Sequence, residues 1–403
     1  MEIDFVLEGN MENFVTIPKA WVLEFDDVGW DNGRDLRLQK KASRSGLPRY
    51  HANEDYKQLR DIGEAAGMTI NVALCLADWD KDNVLRGFVG ATHDPHGWDR
   101  ASEIDLDAFA AHRDVLEGTE YVDYSIHGLL HGYYDENGVL VHEREYFELS
   151  DDGTHRSLGL RSIEDFNRRL DCFFKIYDGW GFKKPIRVFI SPCGLGDASH
   201  EELSRIAGEL HKRGVRYWTN GGFYFKEPMK VINGVACVKK SAPIDENGKR
   251  PDAPWDAYDV DPSTFSDYTA TNFDGCVFGL HWTNILRFNP KKNPEQTGLW
   301  VDYIKRQGEL FGIVNAKNIV EAINQQFYYQ NAKMTVSDGA VDIDLSAIEA
   351  EHVDCHKNEF FISFKNGIEP KSCLGGEITL YRTQRDFKTY KVAHDAYKVK
   401  ITF

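Results

Sequence analysis

Two residue pairs in this 403-residue chain have the types and spacing that metal-assisted hydrolysis uses. The first is Asp26-Asp27, which closes the run Trp21-Val22-Leu23-Glu24-Phe25 and precedes Val28-Gly29. Adjacent carboxylates at a strand end point in different directions, so one can bind a metal while the other takes a proton from water. As ordinary aspartates they would cap a helix or close a turn. The second pair is His127 and His131 in the segment His127-Gly128-Leu129-Leu130-His131. Their i, i+4 spacing puts both imidazoles on one face of a helical turn, within reach of one ion. Gly128 permits a tight backbone there. Two imidazoles and one carboxylate leave coordination positions open for water and substrate, which a catalytic site needs and a closed structural zinc site lacks.

Two further elements end in polar or turn residues. Arg187-Val188-Phe189-Ile190-Ser191-Pro192-Cys193-Gly194 is a strand leading into a Pro-x-Gly turn, and Cys276-Val277-Phe278-Gly279-Leu280-His281-Trp282 is a buried strand with histidine at its end. His281 could protonate a departing amine; taken alone it reads as a core or rim residue. Pro192, Cys193 and Trp282 are expected against the substrate. His93-Asp94-Pro95-His96 reads as a solvated turn, and His352, Cys355 and His356 as surface residues. Asp151-Asp152-Gly153 and Asp245-Glu246-Asn247-Gly248 are turn sequences. The chain has no Gly-x-Ser-x-Gly elbow and no glycine-rich phosphate loop.

Short apolar runs at 20–25, 69–77, 121–126, 186–191, 215–218 and 276–281, with a further one at 311–315, predict the strands that carry these residues. Helical patterns fall between them at 55–66, 105–116, 162–177, 200–213 and 298–309. In one, Leu203, Ile206, Ala207 and Leu210 repeat at the spacing of a single buried face. Nearly continuous apolar strands suit a parallel sheet covered on both sides, and repeated βα units point to a (β/α) barrel or a doubly wound sheet. In either fold ligands bind beyond the carboxyl ends of the strands, where the Asp pair, His127 and His281 fall. Insertions at 132–160 and 226–272 break the rhythm, and long insertions of this kind serve as lids or binding loops. After a helix at 318–329 the pattern changes to strands at 334–348, 359–365, 377–383 and 397–403 with Asp-Gly, Asn-Gly and Gly-Gly signals. The expected division is a barrel over 1–331 and a small antiparallel, β-sandwich-like domain over 332–403. A domain of that size is marginal alone and should pack on the larger one.

Hydrophobic residues are 42% and charged residues 28% of the chain, ordinary for a globular protein. Aromatic residues reach 13%, with nine Trp, which either fill a core or stack on sugar rings. The net charge of −16 repels nucleic acid, anionic lipid and polyanions. No basic run interleaved with aromatics appears, so nucleic acid is not an expected partner. No stretch reaches about 18 apolar residues, the length a membrane span needs. The first 19 residues lack the basic start and apolar core of a signal peptide, which leads to an expectation of a cytoplasmic protein. The seven cysteines form no CxxC pair, so neither a disulfide framework nor a cysteine zinc site is indicated.

Taken together, the four elements resemble the NodB-type polysaccharide deacetylases, the carbohydrate esterase family 4 group. Phe25-Asp26-Asp27-Val28 matches the last four places of that family's Thr-Phe-Asp-Asp-Gly/Val motif, and His127 to His131 matches its His-small-x-x-His motif. Ile190 to Gly194 and Leu280-His281 correspond more weakly to its later elements, in the same order along the chain. The resemblance implies a distorted, seven-stranded barrel that removes N-acetyl groups from a sugar or oligosaccharide. It implies that Asp27, His127 and His131 hold Zn²⁺ or another divalent ion (Co²⁺, Ni²⁺, Fe²⁺), with Asp26 as base and His281 as acid. Hydrolysis of another C–N bond on the same site, or a catalytically degenerate carbohydrate-binding barrel, are the competing readings. Glu24 stands where the family has Thr, and Ser191 where it has an arginine. That arginine's acidic partner is not evident near Trp218, where Thr219 and Asn220 follow. The loss of both leaves the charge and orientation of Asp26 to be set by a different group, if the site turns over a substrate. The segment after Asn331 lies outside the resemblance.

Overall fold

The computed structural model describes residues 14–31, 47, 49–141, 144–150, 157–192, 198–220, 223, 225–250, 257–269, 274–348 and 357–403. Seven parallel strands among them close a barrel: β1 (Lys19–Val28), β2 (Ile70–Cys75), β3 (Val122–Gly128), β4 (Val188–Phe189), β5 (Tyr217–Asn220), β6 (Val235–Ser241) and β7 (Val277–His281). Each pairs with the next, β5 skips the short Met229–Ile232 strand to pair with β6, and β7 returns to β1. Side chains from the barrel and the enclosing helices form one continuous apolar core that includes Trp21, Trp79, Trp218, Trp282 and Trp300. The alternation of apolar strands and amphipathic segments leaves a barrel or a doubly wound sheet open, and the closed ring of strands is the barrel.

The helices α1 (Asn53–Ala66), α2 (Leu106–Glu117), α3 (Ile163–Gly179), α4 (His200–Lys212), α5 (Pro294–Gln307) and α6 (Ile319–Asn331) lie close to the spans read from periodicity. In α4 the face of Leu203, Ile206, Ala207 and Leu210 is buried, and Ser199 with Glu202 forms a capping box at its start. Among the described residues no helix is long and apolar enough to cross a membrane.

The strand bookkeeping differs from the sequence expectation at two places. The predicted strand at 311–315 is present as Ile313–Asn315, but it pairs with the first residues of β1 (Lys19 to Trp21) and is not one of the seven. The missing barrel strand is β6, inside the segment read as an insertion at 226–272. It runs antiparallel to Met229–Ile232 through a two-residue turn, Asn233-Gly234, whose residues have φ of 48° and 76°. The 132–160 segment forms two short hairpins and buries Glu145, Tyr146 and Phe147, so it is more than a surface excursion.

From Lys333 onward the chain supplies one four-stranded antiparallel sheet and three strands of a second. Val15–Thr16, from the other end of the described chain, is the fourth strand of that second sheet, at its edge, pairing with Glu359–Lys365. Val341, Ile343, Ile362, Phe364, Val392, Val399 and Ile401 form a second core, which also takes in Tyr328 of α6. His352, Cys355 and His356 lie outside the described residues, as do Asp151, Asp152 and Gly153.

Candidate metal centre at the strand ends

The site gathers at the carboxyl ends of β1, β3 and β7. Asp27 sits in a bulge, because the register of β1 against β2 shifts between Phe25 and Val28. Its φ of 69° lies in the left-handed region that aspartate tolerates better than most residues. The bulge turns the two carboxylates apart. Asp26 stays in register with His281 of β7, while Asp27 turns toward β3 and is nearly fully buried.

Asp27 Oδ1 lies 3.1 Å from His127 Nε2 and 3.2 Å from His131 Nε2. Donor atoms from the three residues all fall within 4.8 Å of one another, and this is the one such group of three among the described residues. With bond lengths of about 2.0–2.1 Å, neighbouring ligand atoms around a divalent ion are roughly 3.0–3.4 Å apart, so this spacing suits an ion. The His127 ring is fixed by the carbonyl of Ile190, 2.9 Å from Nδ1. A proton on Nδ1 bonds that carbonyl and leaves the Nε2 lone pair facing a carboxylate oxygen. Two acceptors so close need a proton or a cation between them, and a carbonyl-anchored imidazole is a common arrangement behind a metal ligand. Burial opposes ionisation of Asp27, but His131, the His127 hydrogen bond and His281 hold its carboxyl below the usual carboxylate range. Burial likewise works against the charged form of His127, and Asp26 and Asp27 together raise it above its ordinary value.

The His127-to-His131 segment is not the helical turn its spacing predicts. β3 continues through His127 and Gly128, and the chain then bends so that His131 adopts φ 62°. The two rings meet anyway, with centroids 4.7 Å apart, and Trp30 packs edge-on against His131. The i, i+4 spacing picked a pair that the structure does bring together, but through a bend and not a helical turn.

Asp26 faces the barrel interior with Glu24, two residues earlier on the same face of β1. Between them, reaching across from β6, is Lys240, whose Nζ is 2.5 Å from Asp26 Oδ2 and 3.1 Å from Glu24 Oε1. Lys240 thus places a cation beside Asp26, where Ser191 offers none. Glu24 is fully buried and accepts hydrogen bonds from Asn71 Nδ2 (2.7 Å) and Thr219 Oγ1 (2.9 Å). Burial pushes its carboxyl up, further than Lys240 draws it down. Burial disfavours the Lys240 ammonium, but the two carboxylates raise it above the ordinary lysine value. Asp26 Oδ1 accepts no hydrogen bond within the described structure.

His281 Nε2 is 3.9 Å from Asp27 Oδ2, so it belongs to the cluster, and the backbone N–H of His281 donates to Asn284 Oδ1 at 2.8 Å. Trp282 is placed otherwise than expected. It is fully buried, stacked on His51 with centroids 3.9 Å apart, and its indole nitrogen points to the Asp55 carbonyl. That ring packs the wall behind the site and offers no face to a substrate. Pro192 is buried just beyond β4, next to the Ile190 carbonyl that anchors His127. Cys193 and Gly194 lie outside the described residues. Sequence reasoning passed over Lys240 and the role of Glu24. The available signals were the Asn-Gly hairpin before β6, which reveals a strand, and a glutamate in an apolar strand two residues before Asp26.

No protein-family model matches the chain, and no curated protein matches it. Among solved structures it is similar to 4-alpha-glucanotransferase from Thermococcus litoralis, with 12% identity over 76% of this chain and a TM-score of 0.37. The chain spans 40% of the length of that glucanotransferase. It is also similar to a variant β-L-arabinopyranosidase from Geobacillus stearothermophilus in complex with arabinose. That likeness has 10% identity, covers 96% of this chain and 97% of the other, and has a TM-score of 0.35. Both names are those of carbohydrate-processing enzymes, but likenesses this low carry no functional weight. The site's own residues have to carry it.

Proposed function

We propose that this chain is a metal-dependent hydrolase that removes N-acetyl groups from a sugar or oligosaccharide. The observation that supports it most is the convergence of Asp27, His127 and His131 within 4.8 Å, with His281 beside them and Asp26 on the adjoining residue. The resemblance of the Asp-Asp and His-x-x-x-His segments to the polysaccharide deacetylases supplies the acetamide as the scissile group.

In this reading Asp27, His127 and His131 hold Zn²⁺, or Co²⁺, Ni²⁺ or Fe²⁺. A bound divalent ion supplies Lewis acidity, which polarises an acetamide carbonyl and brings the pKa of water down to about 7. Asp26 takes the proton from the attacking water through its Oδ1, the oxygen without an internal partner. Lys240 holds the other oxygen, keeping the carboxylate aimed. His281 donates a proton to the departing amine as the C–N bond breaks, so that acetate and a free amino sugar leave. An unmatched charge beside Asp26 would have favoured a degenerate barrel, and Lys240 supports the catalytic alternative.

The test is calorimetric titration of metal-stripped protein with Zn²⁺ and Co²⁺, followed by measurement of acetate release from N-acetylglucosamine oligomers. The wild-type chain should bind one equivalent at micromolar concentration or below, and the His127→Ala, His131→Ala double variant should bind none. Failure of the wild type to bind either ion would sink the proposal. Turnover of small amides but not of the oligomers would assign the site to a different C–N bond, and glycan binding without turnover would make the barrel a binding module.

A further inference from the structure

Glu145 lies between β3 and α3, 14 residues beyond His131 and outside both site motifs, and it is fully buried. Its Oε2 accepts three consecutive backbone N–H groups, from Leu129 (3.1 Å), Leu130 (3.1 Å) and His131 (2.8 Å). Successive N–H groups converging in this way form an anion-binding nest, and here the anion is a side chain of the same protein. Gly128 belongs to the arrangement. Its φ is 139°, and a Cβ on it would overlap Glu145 Oε2. The carboxylate occupies the space that any larger residue at 128 would fill.

A second layer holds Glu145 in turn. Arg169 of α3 reaches its Oε1 at 3.1 Å and is itself almost completely buried. The Arg169 Nε donates to Asp165 at 2.8 Å, and the guanidinium lies over the ring of Phe88 at 4.9 Å. Arg161 donates to the Glu145 carbonyl at 2.8 Å. The carboxylate thus has a counter-charge, a fixed backbone and no access to solvent.

We infer that Glu145 is a positioning residue for the metal-ligand set, acting through the backbone of Leu129 to His131. The three bonds hold the bend that gives His131 its left-handed backbone and point its Nε2 at Asp27 Oδ1. This rests on the reading that Asp27, His127 and His131 hold a divalent ion. It also gives the 132–160 segment a task, because the residue that shapes the second histidine's loop comes from it. The bland alternative is a buried ion pair that contributes to folding and nothing else.

Co²⁺ binding distinguishes the two, because its visible absorption reports ligand geometry apart from activity. In Glu145→Gln the amide keeps one acceptor oxygen, so its NH₂ meets donors whichever way it turns, the nest on one side or Arg169 on the other. Arg169→Lys keeps the charge but loses the fork that grips both Glu145 and Asp165. For Glu145→Gln the expected result is Co²⁺ affinity about 10–100-fold weaker than wild type, the range for lost support behind a metal ligand. The absorption bands at saturating Co²⁺ should also shift. Arg169→Lys should show the same changes in smaller measure. A folded Glu145→Gln chain with wild-type affinity and spectrum would overturn the inference, however much its melting temperature fell. Should that variant not fold, unchanged affinity and spectrum in Arg169→Lys would overturn it equally. Failure of the wild-type chain to bind Co²⁺ would instead sink the metal reading itself, and this inference with it.

Discussion

Lys240 shows how much one side chain decides at this site. Its ammonium is shared by Glu24 and Asp26, and a single cation neutralises only one of two carboxylates. Glu24, fully enclosed, is the one whose proton affinity rises. Gly279 on β7 makes room for this reach, since a Cβ there would overlap the Lys240 side chain. Replacing Lys240 with Met leaves Asp26 without its partner and Glu24 without a counter-charge. Removing one member of a buried pair costs about 3–5 kcal/mol, so Lys240→Met should unfold at clearly lower urea concentration. The double variant Glu24→Gln, Lys240→Met should regain part of that loss, because the stranded carboxylate is gone. Deacetylation should fall sharply in both while Co²⁺ affinity stays at the wild-type level, since neither residue touches Asp27, His127 or His131.

At the scale of elements, the α1–α2 contact carries a built-in pH dependence. His112 of α2 stacks on Tyr56 of α1 at 4.3 Å between centroids, and its Nδ1 lies 3.3 Å from Asn53 Oδ1. Burial, with a smaller contribution from His51, pushes its pKa down to about 4, while Asp55 and Asp105 pull weakly the other way. The sign follows from which state binds the proton. Below the ordinary value of 6.5 the unfolded chain protonates this histidine and the folded chain resists, so stability is lost as pH falls from 6.5 toward 4. The cost at the lower end is on the order of 3 kcal/mol. Urea melts between pH 7 and pH 4 should therefore show a steeper loss for the wild type than for His112→Gln. Parallel curves would exclude His112 as the source. Carboxylate titrations elsewhere are common to both proteins and cancel in the difference.

For the whole molecule, the β-sheet unit is bound into the barrel at both chain ends. Helix α6 exchanges hydrogen bonds with the strand Glu359–Lys365: Gln325 Oε1 accepts from Phe361 N at 2.8 Å, and Asn324 Nδ2 donates to Glu359 O at 2.7 Å. Val15, Ile17 and Tyr328 are buried in the second core, although they precede the strands that cover them. A chain ending at Asn331 would expose this apolar surface and leave Val15–Thr16 without its partner strand. Exposed patches of this kind drive association. The truncated protein should elute as aggregate in size-exclusion chromatography or melt well below the full chain. A monodisperse fragment with an unchanged melting temperature would show that the barrel stands alone.

The sequence by itself determined the elements whose signals are local. Period-3.6 patterns located the helices to within a few residues, apolar runs located most of the strands, and their alternation implied a barrel or a doubly wound sheet followed by a second β unit. It also picked out Asp26, Asp27, His127, His131 and His281, because strand-end carboxylates and spaced imidazoles are legible without coordinates. β6 was missed although an Asn-Gly turn marked it, since its two lysines and the surrounding Pro, Asp and Gly masked a short apolar run. What only the tertiary structure decided are contacts between residues distant in the chain. Lys240 meets Asp26 across 214 positions and Glu145 meets Leu130 across 15, through barrel closure in one case and an irregular loop in the other. Trp282 was misplaced for the same reason: a residue after a strand can turn toward the cleft or away from it, and packing on His51 and Tyr56 settled that direction. Residue type and spacing can propose a metal site. Which charges surround it depends on closing the barrel, and that is a property of the folded chain alone.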